Sequence, residues 1–186
     1  MRPTSRLFAT DGECVHDVDR LFRDYHATLV RYLTRRLGDR DWAEDVAQET
    51  FVRALRQAQI VNERAWLFTV ANNLVRDEAR KDARRRTRLT LLLEESREAS
   101  VEPEPISLER AQDAAMARGA MEALAERDRL ALLMREEGLD YHEIAEALGL
   151  SVGSIGTTLA RARRRLVEQY EALQQQMERR RDHAAS

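Results

Sequence analysis

One cysteine, three prolines and seven glycines in 186 residues leave little material for disulfides, turns or a loop-rich fold. A lone cysteine, Cys14, excludes an intramolecular disulfide, and in a stretch without periodicity it reads as a passive thiol ahead of a redox sensor. No apolar run approaches the roughly 18 residues that a membrane span needs, and none resembles the apolar core of a signal peptide, so a cytoplasmic chain is expected. Four histidines, His16, His26, His142 and His183, are scattered without metal-ligand spacing, and no nucleophile is paired with a base; neither a metal, a cofactor nor an enzyme is expected. A large charge of one sign is also missing. The formal net charge is -2 although 34% of residues are charged, which argues against a generally basic coating protein and conceals arginines and acids bunched in different stretches.

What is present is Ala, Leu, Arg and Glu in helical spacing, and the expected class is all-α: two small helical domains joined by a flexible linker. Residues 1–16 read as a loose leader. Leu21, Phe22, Tyr25, Leu29 and Leu33 define a first helix over 17–37, ended by Gly38. A second opens at Asp41 with Glu44 placed for a capping box, and buries Ala43, Val46, Ala47, Thr50, Phe51, Ala54 and Leu55. A break at 57–62 precedes a third helix, 63–85, burying Trp66, Leu67, Val70, Ala71 and Leu74. Residues 17–86 form the first domain, and 87–107, with two prolines and a run of glutamates, form a linker. Within the linker Leu91–Leu93 reads equally as a helix end or an apolar docking patch. A second domain spans 108–173, with Ala111, Ala115, Ala120, Leu124, Leu130, Leu133 and Met134 inward, and 174–186 is a polar tail expected to fray.

The most informative stretch is 140–166, which reads as two short helices around a glycine turn, a helix-turn-helix. Asp140 and Glu143 suit a capping box, Gly149 supplies the positive φ of the turn, Leu150 plugs the angle, and Ser151 suits an N-cap. Ile155, Leu159, Ala162 and Leu166 then fix the buried side of the second helix. That leaves Ser151, Gly153, Ser154, Thr157, Thr158, Arg161, Arg164 and Arg165 outward: small polar groups for base edges, guanidinium groups for phosphates. The plainer alternative is a hairpin in an ordinary bundle with solvated arginines. A face rich in Gly, Ser and Thr weakens a helix, and close approach to another molecule would explain it.

Two surfaces of the first domain have opposite sign. Asp45, Gln48, Glu49 and Val52, with Glu44 beside them, form an acidic and amide stripe that costs its own helix stability, which a basic partner would compensate; a merely solvated face is the plainer reading. On the third helix Thr69, Asn72, Asn73, Arg76, Arg80, Lys81 and Arg84 make a track suited to a nucleic-acid backbone, with the loop 58–62, Asn62 included, at the same end. Trp66 reads as core, and Phe68 as either core or a stacking platform.

Taken together, LFRDYHATLVRYLTRRLGD, DWAEDVAQETFVRAL, AWLFTVANNLVRDEARKDARRR and GLDYHEIAEALGLSVGSIGTTLARARRRL resemble, in order, the extracytoplasmic-function (group 4) sigma factors of bacterial RNA polymerase, over about 17–86 and 108–170. The resemblance implies that Glu44, Asp45, Gln48 and Glu49 dock on the clamp helices of the largest subunit. It implies that the third helix and the loop before it capture the melted non-template strand at the -10 element, with a flipped base near 58–62. The second domain would read the -35 element and touch the polymerase flap. An anti-sigma factor is a further possible partner, by family analogy. The chain departs from the family pattern at Gly156, Thr157 and Thr158, where a Lys or Arg, then Ser and Arg, are common, and at Ala125, where proline is frequent. Two other classes compete: a stand-alone dimeric helix-turn-helix regulator, which would have little use for the acidic helix, and a metal enzyme built on Asp41, Glu44, Asp45 and Glu49.

Overall fold

The computed structural model describes residues 11–57, 59–89 and 108–184, and among these every regular element is an α-helix. Packing divides the chain into two compact units, Met1–Ala99 and Ser100–Ser186.

In the first unit α1 (Asp11–Leu37), α2 (Arg40–Ala54) and α3 (Glu63–Leu89) pack mutually. Apolar positions at helical spacing meet in one core: Leu21, Leu29, Tyr32 and Leu33 from α1, Val46, Ala47 and Phe51 from α2, and Leu67, Phe68, Ala71 and Val75 from α3. Four boundaries depart from expectation, one being the end of α3, which runs past residue 85 to Leu89 and so into the stretch expected as linker. α1 begins six residues before Asp17, so part of the supposed leader, Cys14 included, is helical. The N-cap of α2 is Asp39, whose carboxylate accepts from the Trp42 backbone N–H at 3.0 Å, so Asp41 lies inside the helix and Glu44 is released from capping. Leu55 is the C-cap, and it is exposed because the helix ends before a further turn can carry it under the core. The leucines 91–93 lie outside the described residues.

The second unit contains α4 (Leu108–Glu122), α5 (Glu126–Glu136), α6 (Tyr141–Leu148) and α7 (Val152–Ala184), with α7 packed against each of the other three. Leu124, Leu130, Met134, Leu139, Ile144, Ile155, Leu159 and Ala162 fill its core. The tail expected to fray is the last third of α7. Gln174–Gln176, Met177, Glu178 and Arg179 are good helix formers, and Leu173 and Met177 face Gln112, Ala115, Met116 and Gly119 on α4, so the helix continues through Ala184. Ala115 is correspondingly exposed at the edge of that seam and is not a core residue.

Candidate functional site

The helix-turn-helix is built by local chemistry. Asp140 is the N-cap of α6: its carboxylate accepts from the Glu143 N–H at 2.8 Å, and the Glu143 side chain accepts from the Asp140 N–H at 2.7 Å. Gly149 takes the left-handed conformation, φ 64°, which reverses the chain at no steric cost, and the Leu150 N–H donates back to the Ala145 carbonyl at 2.8 Å. From there α7 starts, burying Ile155, Leu159 and Ala162.

Ser151, Gly153, Thr157, Arg161, Arg164 and Arg165 are exposed as the spacing predicts, and Ser154 is half-buried. Thr158 is corrected: it is 5% exposed, because it lies three residues after Ile155 and one before Leu159, on the packed side. The hydroxyls of the first two turns of α7 are tied to backbone. Ser154 donates to the Ser151 carbonyl at 2.7 Å, and Thr157 to the Ser154 carbonyl at 2.9 Å, leaving lone pairs outward.

The arginines are not equivalent. Arg161 donates to the carboxylate of Asp128 through Nε at 3.0 Å and Nη2 at 2.5 Å, and Arg165 Nη1 lies 3.5 Å from the same carboxylate. Asp128 sits in the first turn of α5 and is 1% exposed. The Arg161 hydrogen bond holds its carboxyl below the usual carboxylate range against the opposing effect of burial, with the charges of Arg161, Arg165 and Arg127 adding to the shift; the pair raises Arg161 in turn. Sequence reading missed Asp128. Its one signal was an acid in the first turn of a helix, which many solvated residues share.

On α2, Asp45, Gln48, Glu49 and Val52 stand exposed in one stripe. Glu49 accepts from Arg53 at 2.9 Å along the same helix. Glu44 turns away toward α1, where His26 Nε2 lies 3.3 Å from its carboxylate and the His26 ring stacks on Phe22 at 4.2 Å between centroids. Besides Val52 within the stripe, Phe22 on α1 and Leu55 at the end of α2 are exposed apolar side chains of this unit that the acidic pattern alone did not reveal.

On α3 the outward row keeps the expected Thr69, Asn73, Arg76 and Arg80 and loses Asn72. Asn72 is 2% exposed: its Oδ1 accepts from the Tyr32 hydroxyl at 2.7 Å and from Arg36, while its Nδ2 is buried without a partner. The guanidinium can only donate, which fixes the amide orientation and makes Asn72 a pin between α1 and α3. The outward row is Thr69, Asn73, Arg76 and Arg80, with Thr69 half-buried and donating to the Ala65 carbonyl at 2.7 Å. Arg76 donates to Asn73 at 3.5 Å, and Arg80 lies 3.7 Å from Asp77. Lys81 and Arg84 continue α3, with side chains outside the described part. Of the aromatic pair, Phe68 takes the core alternative, fully buried and 4.8 Å from the Tyr32 ring, whereas Trp66, expected in the core, is half-buried. Asn62 is half-buried, with its amide oxygen 3.4 Å from the Ala65 N–H at the start of α3. Ala58 lies outside the described residues, and Val61 projects from the same loop, 93% exposed.

Among the described residues no cluster of His, Cys, Asp and Glu could hold a metal, and no helix is long and apolar enough to cross a membrane. The arrangement offers surfaces: an acidic stripe, a basic row beside a loop, and a helix-turn-helix with an outward polar face.

Comparison with known proteins gives these surfaces a family. Residues 21–85 match Sigma-70 region 2, and residues 115–166 match Sigma-70, region 4. The chain is 30% identical over 151 residues to RNA polymerase sigma factor YlaC of Bacillus subtilis, covering 78% of this chain and 87% of YlaC. It is 35% identical over 156 residues to ECF RNA polymerase sigma factor SigL of Mycobacterium tuberculosis, covering 78% and 84%. The fold is similar to that of the sigma factor RpoE co-crystallised with the anti-sigma factor NepR from Bartonella quintana, with a TM-score of 0.64 and 24% identity over 83% of this chain and 97% of that one. With both sigma regions matched in order and such relatives aligned along more than three quarters of its length, the chain belongs to the sigma-70 family, among the ECF RNA polymerase sigma factors.

Proposed function

We propose that this sigma factor docks on core RNA polymerase through the outward stripe of α2, Asp45, Gln48 and Glu49, and directs promoter-specific initiation with its two DNA-facing surfaces. Thr69, Asn73, Arg76 and Arg80 on α3, continued by Lys81 and Arg84, hold the melted non-template strand of the -10 element beside the loop that carries Val61 and Asn62. Ser151, Gly153, Ser154, Thr157, Arg164 and Arg165 present α7 to the major groove of the -35 element. Glu44 supports the docking face through His26, and Asn72 supports the basic row from below. The chain works by binding, in the cytoplasm, and makes or breaks no bond. A separate anti-sigma protein would regulate it, as NepR accompanies RpoE in the similar structure.

The observation that carries this reading is the segregation of charge within one small unit: α2 exposes Asp45, Gln48 and Glu49, and α3 exposes Arg76 and Arg80. An acidic face for a basic protein partner and a basic face for a polyanion let one unit hold both at once. Reversing Asp45→Lys together with Glu49→Lys should abolish co-elution with core polymerase in size exclusion while the far-UV circular dichroism spectrum and melting temperature stay unchanged. Undiminished co-elution would remove α2 as the docking face. A DNA-binding dimer indifferent to polymerase would instead favour a stand-alone regulator.

A further inference from the structure

We propose that Asp128 is the positioning residue of the α7 arginine cluster: it takes Arg161 out of the set of DNA contacts and uses it to fix the rotation of the recognition helix against α5. The inference rests on the reading that the outward face of α7 meets promoter DNA.

The geometry divides the cluster into three roles. Arg161 meets Asp128 with two donors, at 3.0 and 2.5 Å. A two-donor fork fixes the plane of the guanidinium as well as its distance, which a single ammonium contact does not. Arg165 follows one turn later on the same side and reaches the same carboxylate at 3.5 Å, so Asp128 grips a full turn of α7. Arg164 points elsewhere: it lies 3.7 Å from Glu168, and both side chains are mostly exposed. Arg161 is thus anchored, Arg165 is shared, and Arg164 is outward.

Burial decides between a brace and a phosphate contact for Arg161. Asp128 is 1% exposed, so its carboxylate has lost nearly all of its water. Drawing Arg161 away to a phosphate would break both hydrogen bonds of the fork and leave the carboxylate with Arg165 alone, at 3.5 Å, in exchange for a single solvent-exposed charge contact. The first turn of α5, at the positive end of the helix dipole, also favours a carboxylate at this position. A brace between the start of α5 and the third turn of α7 fixes the angle at which Ser151 and the first two turns of α7, through Thr157, are offered outward.

The test uses the full chain bound to core polymerase and a promoter duplex recovered by run-off transcription mapping with the same holoenzyme, with affinity measured across a salt series. Arg164→Ala should make the log affinity against log salt line shallower by about one unit, as loss of one phosphate contact does. Arg161→Ala and Arg161→Lys should both weaken binding by about tenfold or more without changing the slope, because lysine keeps the charge and loses the fork. The paired change Asp128→Asn with Arg161→Gln, which removes both charges and keeps a hydrogen bond, should recover most of the affinity lost in Arg161→Ala. Full affinity in Arg161→Lys, or a slope reduced by Arg161→Ala as by Arg164→Ala, would overturn the proposal and return Arg161 to the DNA contacts. If Arg164→Ala also leaves slope and affinity unchanged, the reading of α7 as the DNA-facing helix fails first. Arg161→Lys keeps a long charged side chain on an exposed position, so it decides the matter even if Asp128→Asn alone does not fold.

Discussion

Gly156 and Gly149 lie seven residues apart and should answer substitution in opposite directions. A Cβ at Gly156 would meet only Tyr141 Cε2, at 3.7 Å, which is ordinary contact, and the residue is mid-helix. Gly156→Ala should therefore stabilise the second unit by about 0.5–1 kcal/mol in a denaturant titration. Gly149 has φ +64°, where a side chain is strained, so Gly149→Ala should cost about 1 kcal/mol or more in the same titration. Equal effects would mean that the turn geometry is not what Gly149 supplies. Asp128 gives a pH signature. Its folded-state pKa lies below the ordinary 3.8, so its pairing with Arg161 contributes stability that is complete above the unfolded value and is lost as pH falls from there through the folded value. Thermal unfolding of the wild type should weaken over that acid window by more than that of Asp128→Asn. Parallel pH curves would show that the pair carries no net stability.

At the level of elements, a helix can outrun its own periodicity signal when a neighbour is present. The sequence after Leu173 has too few apolar residues to read as a packed helix. Leu173 nonetheless lies against Gly119 of α4, and Met177 lines the same groove as Met116; that packing, with the good propensity of the intervening glutamines, carries α7 to Ala184. Removing residues 174–186 should lower the stability of the second unit by about 1–2 kcal/mol, because Met177 no longer covers the groove that it lines with Met116 of α4. An unchanged melting temperature would mean that the contact adds nothing. The opposite case is α2, where Asp39 rather than Asp41 caps the helix. The consequence is functional: Glu44, freed from the cap, lies next to His26 and not in the outward stripe.

Over the whole molecule a net charge of -2 with segregated local charge predicts a division of labour. Alone, the chain should bind promoter duplex weakly and with steep salt dependence, because its basic row must compete with the repulsion of its own acids. Bound to core polymerase, with the acidic stripe covered, its promoter affinity should rise by about a hundredfold or more at the same salt, measurable by fluorescence anisotropy. Equal affinities with and without polymerase would contradict the coupling of the two surfaces.

The helix-turn-helix, the three-helix first unit and the exposed acidic stripe were legible in the order of residues. Each depends on short-range chemistry: the Asp140–Glu143 cap, the left-handed Gly149, and apolar spacing along one helix. Tertiary packing alone decided which member of a polar run is outward. Asn72 and Asn73 are indistinguishable by composition, yet one is pinned by Tyr32 and Arg36 from α1 and the other is exposed. Thr158 is buried beside Thr157, and Arg161 is claimed by a carboxylate 33 residues away. Periodicity locates a helical face only to about one residue, or 100° of rotation, and a partner distant in the chain leaves no mark on local spacing, so these choices were settled only where helices met.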